Sequence, residues 1–587
     1  MTPAEPFLLF DDAREDGAPA RLYRRPVSEV MARAIEDVRP ALEQLRAEVA
    51  KGRHAAGFLA YETGYALESK LQRLARQGQG PLLWFGLFDS FELLDDEALH
   101  QLLPDPASGW IGRLRPRVGR DDYLAAAAAV REHLFAGDFY QANLTFGCDV
   151  PLIGPPLAAY AKLRNNSRAG WGGVIRYPGG WILSCSPEQF FTIRDGVVEA
   201  RPMKGTAARR PNFAEDADEA RALAADPKQR AENLMIVDLL RNDLARISEA
   251  GSVEVPELFT VETYPTVHQM VSLIRSRLRA GLGAIEVLDT IFPCGSVTGA
   301  PKISAMEHLR SLEPEPRGAY TGSMGWIEPG GDAAFNVLIR TLELTDGSGS
   351  ARLGLGSGLV VDSIAADEWA ECLIKGEFVN RAAEAVDLIE TMRLDPHEGI
   401  VELDRHLDRL ARSAEELGFV FDRHGARNEL QAATFGKKQP AVARLLLSPT
   451  GTMAIEVRPL DEFPAEPVKV AVRPLPVAAE DYRLRHKTTA RSFYDDARRD
   501  SGAFEVVFTD AEGRLTEGSF TNVFVERDGR LLTPPLERGL LPGILRSQLI
   551  DQGRAVEADL TPEDLRGGFF VGNIVRGLIR AELASGG

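Results

Sequence analysis

The stretch AENLMIVDLLRNDL, residues 231–244, decides how the first half of the chain folds. We interpret it as one helix that Glu232 opens and that runs on through the aspartates of VDLLRNDL. Around it, between Asp121 and about Lys375, helical and extended patterns are interleaved without a strict strand–helix repeat. This pattern predicts large antiparallel sheets layered with helices, which is an α+β fold.

Further motifs flank that helix in a definite order along the chain. They are GDFYQANLT (137–145), SPEQF (186–190), RPMKGT (201–206), FPCGSVTGAPK (292–302), RGAYTG (317–322) and GSGLVVDS (356–363). Together with the helix they resemble the chorismate-utilising enzymes over most of the first 380 residues. The resemblance implies an anthranilate-synthase-like fold, with an N-terminal part at 1–110 and a chorismate-binding catalytic core at 111–380.

Chorismate is a dianion whose ring hydroxyl is a poor leaving group, and this chemistry sets what the site must contain. A catalyst needs a divalent cation on the ring carboxylate, an acid at the hydroxyl and a controlled nucleophile. Glu368 and Glu371 are spaced i, i+3 and share a helix face. The resemblance implies that Glu232 and Glu371 bind Mg²⁺, a cation that accepts one or two carboxylates and keeps several waters, with Glu368 in support.

Lys204, in RPMKGT, is the residue that sets the predicted position of amination. The family's aminodeoxychorismate synthases have lysine here, whereas its anthranilate synthases usually have alanine. A desolvated lysine amine can attack ring carbon C2 as the C4 hydroxyl leaves, after which ammonia enters at C4; the alternative is an electrostatic guide for ammonia. Glu188 matches the general acid for the hydroxyl, and Gln141 stands where water-adding relatives carry a lysine base.

The resemblance also implies a set of substrate-binding residues around the ring. Arg340 suits this role physically, because a guanidinium grips a carboxylate bidentately. The residues expected to hold the substrate carboxylates are Arg340, Tyr320, Lys375, Gly356 and Gly358, and those expected near the ring are His268 and Thr298.

The chain from 385 to 587 carries a second set of motifs. These are LIETMRL, HLDRLARSAEELG (406–418), RHKTTARSFY (485–494), TEGSFTNVF (516–524), TPPLERGLLPGILR (533–546) and GNIVRGL (572–578). They resemble the fold-type IV pyridoxal phosphate enzymes, a family that includes aminodeoxychorismate lyase and the D-amino acid and branched-chain aminotransferases. The resemblance implies a D-amino acid aminotransferase-like α/β domain.

Pyridoxal phosphate chemistry needs a lysine for the cofactor aldehyde, a carboxylate at the pyridine nitrogen and a phosphate cradle. By resemblance, Lys487, Glu517 and Arg409 fill these roles. Backbone amides around Ile544 and Leu545 are expected to hold the phosphate at a helix start. Relatives often have threonine where Leu545 stands, which removes one hydroxyl contact, and Arg576 is a candidate ligand for a substrate carboxylate.

The two resemblances combine into one expected pathway within folate biosynthesis. Chorismate is aminated to 4-amino-4-deoxychorismate, and the second domain then eliminates pyruvate to release 4-aminobenzoate. The chain contains no glutaminase motif, so ammonia is expected from a separate glutamine amidotransferase subunit, and fold-type IV enzymes are commonly dimers. Two alternatives stay open: an anthranilate synthase large subunit with an attached aminotransferase, and a C-terminal half that serves only as a non-catalytic dimerisation or docking module.

Composition excludes other classes of function. The 587 residues carry a formal net charge of −18, which disfavours nucleic acid or an anionic membrane as a partner. The first residues lack a basic region followed by a long apolar stretch, so we expect a cytoplasmic protein. The four cysteines lie far apart and are expected to be buried, inert thiols.

Overall fold

The computed structural model describes residues 5–76, 78, 80–263, 267–383 and 386–584. The chain forms two compact units, the first comprising Met1–Pro104, Arg113–Val150 and Ala159–Ala382, and the second the remainder. Two short segments, Asp105–Gly112 and Pro151–Ala158, therefore group with the second unit, although the predicted bounds place both in the first part. The reason is Trp110, which is buried against Phe419 and Tyr482 and donates its indole N–H to the Leu417 carbonyl.

The strands up to residue 382 are β1 Phe7–Asp11, β2 Ala20–Arg24, β3 Ser28–Ala32, β4 His54–Leu59, β5 Leu83–Phe88, β6 Glu92–Leu94, β7 Trp110–Ile111, β8 Arg115–Pro116, β9 Gln141–Ile153, β10 Gly172–Tyr177, β11 Gly180–Ser184, β12 Gln189–Arg194, β13 Val197–Ala200, β14 Met203–Ala208, β15 Glu254–Thr263, β16 Val267–Arg277, β17 Gly299–Ala300, β18 Ser323–Ile327, β19 Ala333–Asn336, β20 Thr341–Thr345 and β21 Ser350–Leu359. The helices are α1 Ile35–Ala50, α2 Thr63–Leu67, α3 Asp96–Leu102, α4 Arg120–Ala136, α5 Pro156–Ser167, α6 Phe213–Ala225, α7 Pro227–Ala245, α8 Ala284–Ile291, α9 Lys302–Leu312, α10 Ala365–Lys375 and α11 Glu377–Ala382.

Two large sheets form the first unit. One runs in the order β17-β9-β21-β20-β11-β10-β1-β2-β6, and the other in the order β14-β16-β13-β12-β19-β18-β4-β5-β3. Apolar side chains of both sheets interdigitate between them, among them Ile175 from the first and Trp84 from the second. Leu42 of α1, Leu240 of α7 and Leu288 of α8 pack in one core with the second sheet. These layers confirm the predicted arrangement of sheets and helices.

The helix that contains Glu232 begins earlier than the sequence predicts. α7 starts at Pro227 because the Asp226 carboxylate caps it, accepting hydrogen bonds from the backbone amides of Lys228 and Gln229. Proline at the first helical position is favourable, since its missing N–H has no partner there in any case. Glu232 consequently lies in the second turn, where its side chain points across to β14 and not along the helix axis.

The second unit contains β22 Leu388–Asp395, β23 Gly399–Ile400, β24 Ala441–Leu447, β25 Met453–Pro459, β26 Val468–Pro474, β27 Glu505–Thr509, β28 Leu515–Gly518, β29 Asn522–Arg527, β30 Arg530–Thr533, β31 Ala555–Glu557, β32 Phe569–Asn573 and β33 Gly577–Leu583, with helices α12 Leu403–Leu417, α13 Arg423–Thr434, α14 Tyr482–Arg485, α15 Ser492–Ser501 and α16 Ile544–Asp551. A small antiparallel sheet has the order β23-β22-β24-β25. A larger mixed sheet has the order β28-β27-β26-β33-β32-β29-β30-β31.

Two further properties of the chain concern membrane-spanning helices and the cysteines. Among the described residues, no helix has both the length and the apolar character needed to cross a bilayer. All four cysteines are free and buried, as predicted.

Candidate functional sites

Lys204 on β14 lies beside the predicted metal ligand Glu232 on α7. The two charged groups approach to 3.5 Å, Nζ to Oε2. Asn233 fixes this juxtaposition, because its side-chain amide donates to the Lys204 carbonyl at 3.1 Å and accepts from the Ser272 hydroxyl at 2.6 Å. The strand and the helix are thus held together by the residue that follows the glutamate.

Strands β9 and β21 bring Gln141 and Gly358 to the same place. A Cβ atom at Gly358 would lie 2.7 Å from Gln141 Nε2 and 2.9 Å from Lys204 Nζ, so a larger residue there would displace the ends of these side chains. Gln141 is completely buried, and within the described part of the chain neither polar atom of its amide has a hydrogen-bond partner. A buried, unpaired amide is costly, which indicates that these atoms face a ligand-binding site.

Glu188 lies between β11 and β12 and is 4% exposed. Burial raises the pKa of its carboxyl to about 7, while hydrogen bonds and the nearby cations of Lys204 and Lys375 act in the opposite direction. The Ser296 hydroxyl donates to Glu188 Oε1 at 2.9 Å. A carboxyl that titrates near neutrality is suited to give a proton to a leaving hydroxyl.

Helix α10 supplies the other predicted metal ligands. Glu371 Oε1 lies 2.7 Å from Lys375 Nζ, and Lys375 also donates to the Gly356 carbonyl at 3.1 Å. Glu368 accepts a 2.7 Å hydrogen bond from Ser363. Burial opposes ionisation of Glu371, but Lys375 and then Lys204 hold the pKa of Glu371 below its usual value. Lys204 thus contacts a carboxylate of α7 and acts electrostatically on a carboxylate of α10.

The remaining predicted residues of the first unit take varied positions. Thr298 is buried and donates to the Cys294 carbonyl at 2.9 Å, and the half-buried Tyr320 ring packs on Gly354 of β21. Arg340, between β19 and β20, has a left-handed backbone with φ 50°. His268 has a partner at each ring nitrogen, the Thr263 hydroxyl and the Asp216 carboxylate, both at 3.0 Å. The roles of these residues toward a substrate stay predictions.

The second unit contains a cavity of about 410 Å³, a volume that suits a cofactor-sized ligand. The predicted cofactor residues Lys487, Arg409, Glu517 and Ile544 all line it, and so does Arg576. The sequence motifs did not indicate how many cations surround this cavity. The other arginines in its wall are Arg444, Arg458, Arg483, Arg491 and Arg498.

Lys487 and Glu517 both have strongly shifted acid–base properties. Burial lowers the pKa of the Lys487 amine to about 7, and the Arg409 cation lowers it further. Burial also raises the pKa of the Glu517 carboxyl to about 7, even though Tyr494 donates to Oε1 at 2.5 Å and the Leu541 amide to Oε2 at 3.1 Å. A neutral amine can react with an aldehyde, and a buried carboxylate can partner a ring N–H⁺.

Helix α16 starts in the wall of the cavity and provides an anion-binding helix start. α16 begins at Ile544, and the free amides of its first turn include those of Ile544 and Leu545. Its N-cap is Gly543, where any Cβ would overlap the Asn522 side chain, so glycine allows Asn522 to approach the start of the helix. These features fit a phosphate group.

Arg409 is fixed in the wall of the cavity by a buried ion pair. Its guanidinium binds Glu390 through two hydrogen bonds of 2.8 and 2.7 Å and donates to the Pro542 carbonyl at 3.1 Å. Although burial opposes ionisation, Arg409 and His406 lower the pKa of Glu390 to about 2. The charged pair therefore holds the guanidinium in one orientation, beside the loop that leads into α16.

Comparison with known proteins assigns each part of the chain to a family. Residues 6–381 match the chorismate binding enzymes, and residues 387–582 match the class IV amino-transferases. The first match spans more than half of the chain, so the protein belongs to the chorismate binding enzyme family and carries a class IV amino-transferase domain in addition. The two families and the two fold types predicted from the motifs are thereby confirmed.

Individual relatives show which members of the family the chain is similar to. The chain is 36% identical over 346 residues to aminodeoxychorismate synthase component 1 of Klebsiella aerogenes. The aligned region covers 56% of this chain and 76% of the relative. The chain is 41% identical over 268 residues to the Escherichia coli K12 protein of the same name, which covers 46% and 58%. Among solved structures, anthranilate synthase component I from Streptococcus pneumoniae matches with 25% identity and a TM-score of 0.53, covering 65% of this chain and 93% of that one.

Proposed function

We propose that the chain makes 4-aminobenzoate from chorismate, by amination to 4-amino-4-deoxychorismate in the first unit and elimination of pyruvate in the second. The observation that carries the first step is the position of Lys204, whose amine lies beside Glu232, Gln141 and the Gly358 backbone. Relatives named aminodeoxychorismate synthase component 1 support the same assignment.

Glu232 and Glu371, with Glu368 in support, would hold Mg²⁺ in the first unit. Hard carboxylate oxygens from two helices that converge on Lys204 fit this ion, which would offset the negative charge of the ring carboxylate. Glu188 protonates the leaving C4 hydroxyl. The Lys204 amine attacks C2 or steers ammonia, and the buried Gln141 amide leaves no base in that position to activate water.

The residues of the second unit fit pyridoxal phosphate. Lys487, Glu517, Arg409 and the start of α16 would hold its aldehyde, ring nitrogen and phosphate, and the cofactor would stabilise the negative charge left when a proton is removed. Lys487, as a neutral amine, takes the proton from C4 of the aminated ring. Pyruvate leaves from the adjacent carbon, and aromatisation makes this step favourable.

The arginines around the cavity favour an anionic substrate over an ordinary amino acid. 4-Amino-4-deoxychorismate carries two carboxylates. Arg576 is 27% exposed at its side chain and pairs loosely with Asp461 at 3.3 Å, so its guanidinium can turn to a ligand carboxylate. This charge distribution supports elimination on the chorismate-derived amine and disfavours a non-catalytic docking module.

An anthranilate synthase with an attached aminotransferase is the competing function, and Lys204 distinguishes the two. We expect nuclear magnetic resonance of the aminated product to show nitrogen on C4. We expect Lys204→Ala to lower formation of this product by about 10² or more, because the nucleophile or the guide for ammonia is lost. Nitrogen on C2 in the native product would overturn the proposal.

The source of ammonia gives a second test. We expect the chain alone to use ammonium salts and to use glutamine only when a separate glutamine amidotransferase subunit is added. The measurement is the rate of 4-aminobenzoate formation with each nitrogen donor. Efficient use of glutamine by the purified chain would contradict the proposed partner.

A further inference from the structure

Three side chains of the first unit, distinct from the proposed magnesium ligands, converge at the surface. His133 is in the last turn of α4, Asp138 follows that helix, and His308 is on α9. Taking one ligand atom from each residue, all three atoms lie within 4.8 Å of one another. Their side chains are 37%, 38% and 28% exposed, so an ion in solvent can reach them.

The distances are close to those that a tetrahedral ion requires. His133 Nδ1 lies 2.8 Å and His308 Nε2 lies 3.8 Å from Asp138 Oδ2. Two ligand atoms that are each about 2.1 Å from a tetrahedral Zn²⁺ are about 3.4 Å apart. Side-chain movements of less than about 1 Å would therefore place both of these pairs at ligand spacing.

The hydrogen bond at the far side of the His308 ring fixes which nitrogen is free. Nδ1 lies 2.8 Å from the Ser304 carbonyl, which can only accept, so Nδ1 carries the hydrogen and Nε2 presents its lone pair to Asp138. A histidine that binds a metal usually donates its other ring N–H to a carbonyl or carboxylate in this way. The Ser304 hydroxyl also donates to the Asp138 carbonyl at 2.7 Å, which ties the two ligand-bearing segments together.

The backbone around Asp138 is equally fixed. α4 ends at Gly137 in a left-handed conformation with φ 80°, and the Asp138 amide donates to the His133 carbonyl at 3.1 Å. The buried Phe139 ring contacts both imidazoles, with centroids 6.0 Å from His133 and 5.6 Å from His308. The three ligand groups are thus oriented by the scaffold before any ion binds.

We propose that His133, Asp138 and His308 bind a divalent transition-metal ion of the Zn²⁺ class. Two imidazoles and one carboxylate select Zn²⁺ or Co²⁺ over Mg²⁺, which prefers oxygen ligands alone. A solvent molecule completes the coordination, as three protein ligands leave a fourth position open.

The position of the site gives the ion a role in stability. Asp138 precedes Gln141 by three residues, and β9 pairs with β17 through Gln141 and Ala300, directly before α9. An ion bound by His133, Asp138 and His308 joins α4, the start of β9 and α9. Zn²⁺ therefore raises the melting temperature of the full chain.

The test is a competition titration of the full-length holoprotein with Zn²⁺ against a chromophoric chelator, with excess Mg²⁺ present to occupy the carboxylate site. We expect one Zn²⁺ equivalent whose affinity falls about 100-fold or more in His308→Gln, because one of the three protein ligands is lost. The matched control is His100→Gln, which removes an exposed histidine of the same unit and leaves the affinity unchanged.

A second variant, Asp138→Asn, and a Co²⁺ absorption spectrum test the same site independently. Asp138→Asn changes an exposed side chain and should weaken Zn²⁺ in the same way, while retained amination of chorismate reports that each variant is folded. Co²⁺ should give visible tetrahedral d–d bands in the native chain that both variants lose. Equal Zn²⁺ affinity in the native chain and both variants, or no bound equivalent in the native chain, would overturn the proposal.

Discussion

Burial determines the acid–base chemistry of Glu188. With a pKa of about 7 it is half protonated at neutral pH, whereas an exposed glutamic acid would be fully ionised. We predict that Glu188→Gln lowers the rate of chorismate amination by about 10²–10⁴, because the amide cannot donate the proton. The rate with the native chain should fall as the pH rises through the pKa of this acid.

The same substitution, Glu188→Gln, should lower activity but raise stability. The folded pKa lies above the unfolded value of 4.5, so any stability from this carboxyl is present below pH 4.5 and is lost as the pH rises to about 7. The free energy of unfolding of Glu188→Gln should therefore increase relative to that of the native chain between pH 5 and 8, by on the order of 3 kcal/mol at most. Chemical denaturation at several pH values measures this difference, and a variant that is less stable at pH 8 would refute the ionisation argument.

Lys487 allows a test that does not depend on turnover. With a pKa of about 7 the amine is half neutral at pH 7, a fraction about 10³ times that of an exposed lysine. We predict that the cofactor-free chain captures pyridoxal phosphate at a rate that rises with pH and levels off above about 8. Stopped-flow absorbance measures this rate. A rate still rising steeply between pH 9 and 10 would show that burial does not activate the lysine.

At the scale of elements, the first site depends on how closely β21 approaches β9 and β14. Gly358→Ala would introduce a Cβ that contacts Gln141 Nε2 and Lys204 Nζ at 2.7 and 2.9 Å. We predict a loss of amination activity of about 10²-fold, because displacements near 1 Å disturb reacting geometry. Gly349→Ala is the control, since nothing lies within 4 Å of the Cβ it would add. Equal activity in the two variants would mean that β21 does not shape the site.

The motifs predicted the layered fold and supplied the candidate site residues. Particular elements show which features could not be predicted from the sequence. The i, i+3 spacing placed Glu368 and Glu371 on one helical face, because helical periodicity is local. The start of α7 was wrong by five residues, since the Asp226 cap prevails over the position of Glu232. Ser296 was missed as the partner of Glu188, because a contact between residues 108 positions apart depends on the fold.

At the scale of the whole molecule, two sites of different chemistry are encoded in one chain. The first unit places a lysine amine among carboxylates, and the second surrounds a cavity of about 410 Å³ with arginines. Trp110 shows that the division between the units is not sequential, because it lies well before residue 383 and yet packs in the second core. No local sequence pattern predicts such a segment, since its environment is formed by residues about 300 positions away.

Product analysis by mass spectrometry determines whether both units act in sequence on chorismate. The full chain is incubated with chorismate, Mg²⁺, ammonium and pyridoxal phosphate, beside a Lys487→Ala sample. We predict 4-aminobenzoate from the native chain and accumulated 4-amino-4-deoxychorismate from the variant. Anthranilate as the product, or equal release of 4-aminobenzoate by the variant, would contradict it.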